Sequence, residues 1–284
     1  MGVVKGFNKL FNKLLNYMKK IVIMVLASRS VGNYVRKGPY DLYIELFWIP
    51  LIKRVSKIPH IDIFLLFSKS SELRGYEEQL KHNVIIDNFE GDGGALFIPG
   101  ILSKQVKAFS RLVDKYDVFW NTNLSVILNI ERLDNYVQSH DIDYRGHYVF
   151  YNEIPKHLDM YISNSKKTQL LNTYKGRTFL GGSGFFLNKL EVKNIVDNKQ
   201  NIEWGLVNDL SIGLLMDGGS LYMDKNYRLL IRKDMSFVEY KKVLDEFSGR
   251  GNSYIDIRLQ YLTDSIMIQT ISEYYRAICS SGEI

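Results

Sequence analysis

The feature that most constrains the fold of this chain is a series of short apolar runs separated by amphipathic segments. The runs are Ile21–Ala27, Ile61–Phe67, Val84–Asp87 and Val118–Trp120. Strands that are apolar along their whole length belong to sheets covered by helices on both faces. The segments Leu42–Ser56 and Ile101–Tyr116 between these runs have the apolar spacing of helices. The alternation therefore predicts an α/β fold, a Rossmann-type mixed sheet with helices on both faces.

The alternation continues with a helix over Ile127–Ser139 and a strand over Tyr148–Tyr151. Beyond Tyr151 strands and helices no longer alternate regularly. The predicted elements there are an extended segment over Thr178–Leu187, helices over Leu190–Val196 and Val207–Met216, strands over Leu221–Asp224 and Tyr227–Ile231, and a C-terminal helix over Ile257–Ile278. No repeat or linker interrupts the series. We expect a single domain over residues 21–284, with a first half of residues 21–150 and a second half of residues 151–284.

Residues 1–20 form a separate segment in which apolar residues recur at helical spacing between basic ones. The basic residues are Lys5, Lys9, Lys13, Lys19 and Lys20. Such an amphipathic helix either packs on its own domain or lies on an anionic membrane, and both readings stay open. The apolar run after it is much shorter than the ~20 residues that span a bilayer. With no signal-peptide cleavage site evident, we expect a cytoplasmic protein that is not secreted.

Composition excludes several kinds of site and partner. The chain has 284 residues, a formal net charge of +6 and one cysteine, Cys279. One cysteine rules out a disulfide framework and a cysteine zinc site, and the five histidines form no HxH or HxxxH pair. The positive charge favours an anionic partner, but much of it lies in residues 1–20, which argues against nucleic-acid binding.

Polar residues follow several of the predicted strands. In an open α/β sheet, ligands bind at the carboxyl ends of the strands, where the strand order reverses. The candidate ligand-binding residues at these ends are Ser28, Arg29, Asp87, Asn88, Asn121, Thr122, Asn123 and Ser125.

The stretch Asn121–Ser125 is the most informative of these strand ends. Enzymes that use nucleotide sugars place an Asp-x-Asp motif at such a point, because two carboxylates can hold ribose hydroxyls and a divalent ion. Here both carboxylates are absent, and Asn123 and Ser125 are poor ligands for a hard cation. From the residues alone, the stretch is either a ligand-binding strand end or a strand-to-helix turn with Asn123 or Ser125 as its N-cap.

A glycine-rich turn lies in the second half of the chain. Gly182, Ser183 and Gly184 allow the backbone to approach a ligand closely, and their amides can hold an oxyanion or a sugar hydroxyl. A tight turn into a strand explains the same residues equally well.

A carboxylate and an indole follow this turn. Asp209 lies at the start of a predicted apolar helix, where its charge interacts favourably with the helix dipole. Trp204 and Asn208 precede it. A carboxylate near an indole that can stack on a sugar also suits the general base of a sugar-transfer reaction.

Taken in order, these pieces resemble the GT-A-fold glycosyltransferases. The likeness is strongest to the small enzymes encoded by large DNA viruses of algae and amoebae, and more distant to the β-1,3-galactosyltransferases. The motifs that carry it are Pro99–Lys104 with Ala108 and Phe109, Asn121–Ser125, Gly182–Phe185, Asn208–Gly213, and Ile257 and Arg258 with Asp264. The resemblance covers roughly residues 20–275 and implies a GT-A-like domain with a nucleotide-binding first half and an acceptor-side second half.

The resemblance also implies roles for individual residues. Asn123 and Ser125 fall on the two acids of the Asp-x-Asp motif, and Asp209 falls on the general base of the inverting members. Lys104, and more weakly Arg29, fall where cations meet the donor diphosphate. The implied donor-binding set is Ser28, Arg29, Asp87, Lys104, Asn121, Thr122, Asn123 and Ser125, and the implied acceptor set is Gly182, Ser183, Gly184, Trp204 and Asn208.

The implied reaction transfers a sugar from a nucleotide-sugar donor, with UDP as the default nucleotide, to a hydroxyl of a glycan or glycoprotein. The chain departs from the family pattern at Asn121, Gln105 and Asn208, which replace a basic residue, a threonine and an acid. The family implies a Mn²⁺ or Mg²⁺ cofactor, but the missing Asp-x-Asp argues against one. The alternative is a catalytically weak or inactive protein of this fold that binds nucleotides or glycans.

Overall fold

The structure is a computed structural model. It describes residues 18–27, 40–73, 75–88, 97–147, 149–151, 168–169, 172, 178–180, 184–202, 204, 208–216, 221–224, 228–232, 234–249, 254–260 and 265–280. Most of the predicted N-terminal helix, residues 1–17, lies outside the described residues. No helix within these ranges is long and apolar enough to cross a membrane.

A seven-stranded sheet forms the centre of the fold. Its strands are β1 (Ile21–Leu26), β2 (Ile61–Phe67), β3 (Val84–Ile86), β4 (Val118–Asn123), β6 (Tyr144–Gly146), β9 (Phe185–Asn188) and β10 (Leu221–Met223). They lie in the order β10-β6-β9-β4-β1-β2-β3. β9 is antiparallel to both of its neighbours, β4 and β6, and every other pair of neighbours is parallel. The predicted mixed sheet is confirmed.

Two smaller sheets accompany the central one. Three strands, β5 (Val126–Leu128), β11 (Arg228–Arg232) and β12 (Asp256–Gln260), form a sheet in the order β11-β12-β5. The strands β7 (Val149–Tyr151) and β8 (Thr178–Leu180) form an antiparallel pair.

Helices cover both faces of the central sheet. They are α1 (residues 40–55, with a π-helical turn at Ile44–Trp48), α2 (Glu77–Leu80), α3 (Phe97–Leu112), α4 (Ile130–Ser139), α5 (Lys189–Asp197), α6 (Asn208–Leu215), α7 (Phe237–Ser248) and α8 (Ser265–Ser280).

The side chains of β1 alternate between two hydrophobic cores. Ile21, Ile23 and Val25 pack with α1, α4, α7 and α8 on what we call the α1 face, and the three-stranded sheet contributes to the same core. Val22 and Met24 pack with α3, α5 and α6 on the α3 face. All five side chains are fully buried, which explains why this strand is apolar at every position.

The predicted start of the C-terminal helix is wrong, because it lies several residues too early in the chain. Residues Ile257–Leu259 belong to β12, which pairs with β11 and β5, and the helix begins only at Ser265. Ile255, Ile257 and Leu259 are buried, so the apolar residues here follow the two-residue period of a strand.

Two other elements differ from the prediction for local reasons. The helix predicted over Ile127–Ser139 begins at Ile130, because Asn129 caps it by accepting a hydrogen bond from Arg132 N at 3.0 Å. The strand β6 was missed, since its sequence Tyr144–Gly146 has no apolar run.

Candidate functional site

On one side of the central sheet, the carboxyl ends of β4, β6 and β10 lie beside the amino end of the antiparallel strand β9. Asn121 pairs with Phe185, which pairs with Gly146, which pairs with Met223, so these residues form one row across β4, β9, β6 and β10. The next row towards the carboxyl ends of the parallel strands consists of Thr122, Gly184, His147 and Asp224. Its alignment follows from two backbone hydrogen bonds, Gly184 N to Asn121 O at 2.7 Å and Asp224 N to Gly146 O at 2.9 Å. We call these four residues the edge row.

The end of β4 buries two polar side chains. Asn121 is 1% exposed and Thr122 is fully buried, on opposite faces of the strand. The Gln105 side chain on α3 donates a long hydrogen bond of 3.4 Å to Asn121 Oδ1. Within the described structure, Asn121 Nδ2 and Thr122 Oγ1 have no hydrogen-bond partner. Because buried polar groups are normally paired, these two atoms could form hydrogen bonds with a ligand at the strand end.

Asn123 and Ser125 bind each other. Asn123 Oδ1 accepts hydrogen bonds from Ser125 N at 3.1 Å and from Ser125 Oγ at 2.8 Å, closing a turn between β4 and β5. The alternative prediction that one of them is a helix N-cap is wrong, because β5 follows and the cap of α4 is Asn129.

The end of β4 does not fit a divalent cation. The oxygen of Asn123 is engaged by Ser125, and the strand end offers amide and hydroxyl groups where a hard cation prefers carboxylates. Among the described residues, no three His, Cys, Asp or Glu side chains are grouped so that they could hold a metal ion.

Lys104 reaches the end of β2 from α3. It is 2% exposed, and its Nζ donates a hydrogen bond of 2.8 Å to Ser68 Oγ. Ser68 N in turn donates to the carboxylate of the buried Glu72 at 2.9 Å. The amine predicted to meet the donor diphosphate is therefore held inside the protein, directly beneath the strand end.

Asp87 follows β3 at the same side of the sheet. Its backbone N–H donates to Phe67 O at 3.0 Å, which extends the pairing of β2 and β3 by one residue. Lys107 Nζ lies 3.9 Å from Asp87 Oδ1, and the carboxylate is 8% exposed. Asp87 Oδ2 is buried and has no hydrogen-bond partner in the described structure.

The proposed base Asp209 lies on the α3 face, in the first turn of α6. Its charge raises the pKa of the buried Tyr144, although burial is the larger cause of that shift. Tyr144 Oη accepts a hydrogen bond from Leu180 N at 3.0 Å, so Asp209 is near the end of β8. Asn208 is the first residue of α6, and Trp204 is 39% exposed. Ser28, Arg29, Gly182 and Ser183 lie outside the described residues.

Sequence reasoning missed a buried ion pair beside the edge row. Arg228 Nε and Nη2 each lie 2.5 Å from a carboxylate oxygen of Asp256, and the two side chains are 3% and 0% exposed. The two residues face each other in the register of β11 and β12. The guanidinium packs on Gly184, where an added Cβ would overlap it. The sequence signal is one charged residue at the start of each of the two strands, and it is hidden because most of β12, from Ile257 onward, is predicted to be helical.

His147 was also missed. It lies in the edge row and makes a hydrogen bond with the backbone of Asp224. Burial lowers the pKa of His147, and the nearby positive charge of Arg228 lowers it further, so the imidazole is neutral at pH 7. The end of β6 therefore carries an uncharged hydrogen-bonding side chain close to a buried ion pair.

Gly184 should not tolerate a side chain, and Gly75 provides a matched control. Both have a positive φ, +98° and +94°, but only Gly184 has neighbouring atoms where a Cβ would lie. Gly75→Ala should lower the free energy of unfolding by about 1–2 kcal/mol, the cost of the left-handed conformation. Gly184→Ala should cost clearly more in urea unfolding, because Arg228 must also move. Equal losses would show that the guanidinium does not pack on Gly184.

Comparison with known proteins gives one distant likeness. No family model matches the chain, and no curated protein matches its sequence. A similar solved structure is the apo form of WbbM, a bifunctional glycosyltransferase, at 12% identity and a TM-score of 0.44. The match covers 93% of this chain and 51% of the WbbM chain, so the chain spans about half the length of that structure. Because the likeness is this distant, no residue role is transferred from it.

Proposed function

We propose that this protein is a glycosyltransferase that moves a sugar from a nucleoside-diphosphate sugar to a hydroxyl of a glycan. The observation that carries the proposal is the grouping of polar side chains at the carboxyl ends of β2, β3 and β4. β1 lies between β2 and β4, so the strand order reverses at this point, which is where open α/β sheets bind ligands. The family resemblance of the motifs supports the same function.

The donor would lie across the ends of β1 to β4. Asp87 Oδ2 and Asn121 Nδ2 are buried and have no partner among the described residues, and they offer an acceptor and a donor for the hydroxyls and amides of a nucleoside. Lys104 would contribute positive charge from beneath Ser68. We assign Ser28, Arg29, Thr122, Asn123 and Ser125 to the same donor site by resemblance, and we take UDP as the default nucleotide.

The proposed reaction is a single displacement with inversion. Asp209 accepts the proton of the acceptor hydroxyl, and that oxygen attacks the anomeric carbon opposite the diphosphate. The new C–O bond forms as the bond to the diphosphate breaks, and the diphosphate leaves with the bonding electrons. A base positioned in this way contributes ~10²–10⁴-fold to the rate, and the alignment of the two substrates contributes further.

The negative charge of the leaving diphosphate would be met by protein groups. Lys104, Arg29 and Arg258 are the cations we assign to it, together with backbone N–H groups. We route no step through a metal ion, because the end of β4 does not supply the ligands that one needs.

A second candidate function is a binding protein without catalysis. It is favoured by one observation, the absence of carboxylates at Asn123 and Ser125, whose side chains are engaged with each other. In that case the protein would bind a nucleotide or a glycan at the same strand ends and leave the donor intact.

A thermal-shift screen followed by a hydrolysis assay tests the proposal. We expect UDP or another nucleoside diphosphate to stabilise the protein with and without EDTA, by about 2.7 kcal/mol at 100 times the dissociation constant. The protein should also slowly hydrolyse at least one nucleotide sugar. Binding without hydrolysis or transfer would favour the binding protein. No response to any nucleoside diphosphate would overturn the glycosyltransferase and leave only a glycan-binding protein, and stabilisation only with added Mn²⁺ would show that a metal is needed.

A further inference from the structure

An exposed aromatic ring lies at the outer edge of the sheet, beyond the proposed donor site. Tyr222 on the edge strand β10 is 48% exposed. The guanidinium of Arg145, its neighbour on β6, lies 4.8 Å from the centre of its ring. The attraction of the cation to the aromatic face holds the ring in place, and the exposure of Tyr222 shows that part of the ring remains accessible.

A hydrogen-bonded network holds the polar groups beside this ring. Arg145 Nη1 donates to Tyr136 Oη at 3.4 Å, and Tyr136 Oη donates to Asp224 Oδ2 at 3.1 Å. Burial raises the pKa of Tyr136, so its phenol is protonated at neutral pH and can donate to the carboxylate. We call the group formed by Tyr222, Arg145, Tyr136 and Asp224 the β10 shelf.

The β10 shelf continues into the edge row. Asp224 is the member of the edge row at β10, and it is followed across the sheet by His147, Gly184 and Thr122. Three strand spacings of ~4.8 Å place Asp224 ~14 Å from Thr122. A ligand that extended from the shelf along the edge row would reach the end of β4.

We propose that the β10 shelf binds the acceptor, and that the acceptor is a neutral oligosaccharide. This inference rests on the proposed function. One sugar ring stacks on Tyr222, and its hydroxyls bind Asp224 and His147. A single hexose on Tyr222 does not also reach the end of β4, so the acceptor must contain more than one sugar unit.

The charges of the shelf favour a neutral sugar over a phosphate. Arg145 and Asp224 carry opposite charges and are joined through the Tyr136 hydroxyl, so the shelf has no excess positive charge to attract an anion. A carboxylate and a guanidinium instead offer acceptors and donors that suit the paired hydroxyls of a pyranose ring.

The aromatic residue assigned to acceptor binding is now Tyr222, whereas the sequence indicates Trp204. Trp204 follows Ile202, which packs in the core of the α3 face. Arg145 contacts Tyr136, which packs against the core of the α1 face, so Tyr222 lies on the side of the sheet opposite to Trp204 and Asp209. An acceptor held on the shelf would therefore have to pass over the edge row to bring its hydroxyl to Asp209. Substituting each aromatic residue in turn therefore separates the two assignments.

The test uses the full-length protein, fluorescently labelled, on an array of printed neutral mono- and oligosaccharides. The variants are Tyr222→Ala, Tyr222→Phe, Trp204→Ala and Phe237→Ala, of which Phe237 is a control ring of similar exposure, 51%, on α7. We expect the wild-type protein to bind oligosaccharides but not monosaccharides. Tyr222→Ala should weaken binding ~10-fold, which corresponds to ~1.4 kcal/mol of stacking. Tyr222→Phe and Phe237→Ala should bind as the wild type does.

Nucleoside-diphosphate binding, measured on the same samples by thermal shift, separates this inference from the proposed function. If the wild-type protein binds nucleotides but no glycan, the shelf is not the acceptor site. The same follows if glycan binding is lost only in Trp204→Ala. Either result leaves the glycosyltransferase proposal standing. Unchanged glycan binding in Tyr222→Ala also overturns it, and shows that Arg145 and Tyr222 only pack against each other. Loss of the nucleotide response in the wild type overturns the proposed function itself.

Discussion

Replacing Asp256 with alanine should lower the free energy of unfolding by about 3–5 kcal/mol, because it leaves the guanidinium of Arg228 buried without its counter-charge. Both partners are almost completely buried, so water cannot replace the lost carboxylate without opening the structure. The measurement is urea unfolding of the variant and the wild type at neutral pH.

Two comparisons show whether this loss comes from the stranded charge. Arg54 and Glu131 form an ion pair of 2.6 Å, but their side chains are 38% and 63% exposed, so Glu131→Ala should cost less than about 1 kcal/mol. The double variant Arg228→Met with Asp256→Leu removes both charges and should recover most of the stability. If Asp256→Ala costs no more than Glu131→Ala, the pair is not buried as described.

Replacing Asp209 with asparagine should reduce sugar transfer by about two to four orders of magnitude, the usual effect of losing a general base. Asparagine has nearly the same shape and keeps an oxygen for the N-terminus of α6, so folding should change by less than about 1 kcal/mol. Donor affinity should stay nearly constant, because the carboxylate acts on the acceptor. The measurements are transfer rates, urea unfolding and nucleotide titration of the same preparation.

Glu191 is the matched control for Asp209. It is likewise an acid in the first turn of a helix on the α3 face, here α5, and it too raises the pKa of Tyr144. Glu191→Gln should leave transfer unchanged. If Asp209→Asn keeps full activity, the inverting mechanism loses its assigned base, and retaining transfer or a binding function becomes the better account.

The first half of the fold could be predicted because its signals are local. β1 and β2 are apolar at nearly every position, and α3 shows helical spacing, so each element is recognisable without its neighbours. β6 and β12 could not be assigned correctly in this way. β6 is only three residues long, and β12 is shown to be a strand only by its partners β5 and β11.

In the candidate site, too, the features with local signals could be predicted and the long-range contacts could not. Asn121 and Thr122 could be placed at a strand end because the strand before them was visible in the sequence. The partners of the other side chains could not be predicted, since Lys104 bonds Ser68 and Arg228 bonds Asp256 across long separations in the chain. A sequence pattern shows which residue types are available, but contacts of this kind depend on how the strands are ordered.

The position of β9 determines when the sheet can be completed during synthesis. β1 to β4 emerge first and can pair with one another, but among the described strands β6 pairs only with β9 and β10, which are both made later. Until β9 arrives, the outer side of β4 is an open strand edge with unpaired backbone groups, a known route to aggregation. A nascent chain with only its first half made would therefore expose this edge, and β9 closes it by joining β4 and β6 in one step.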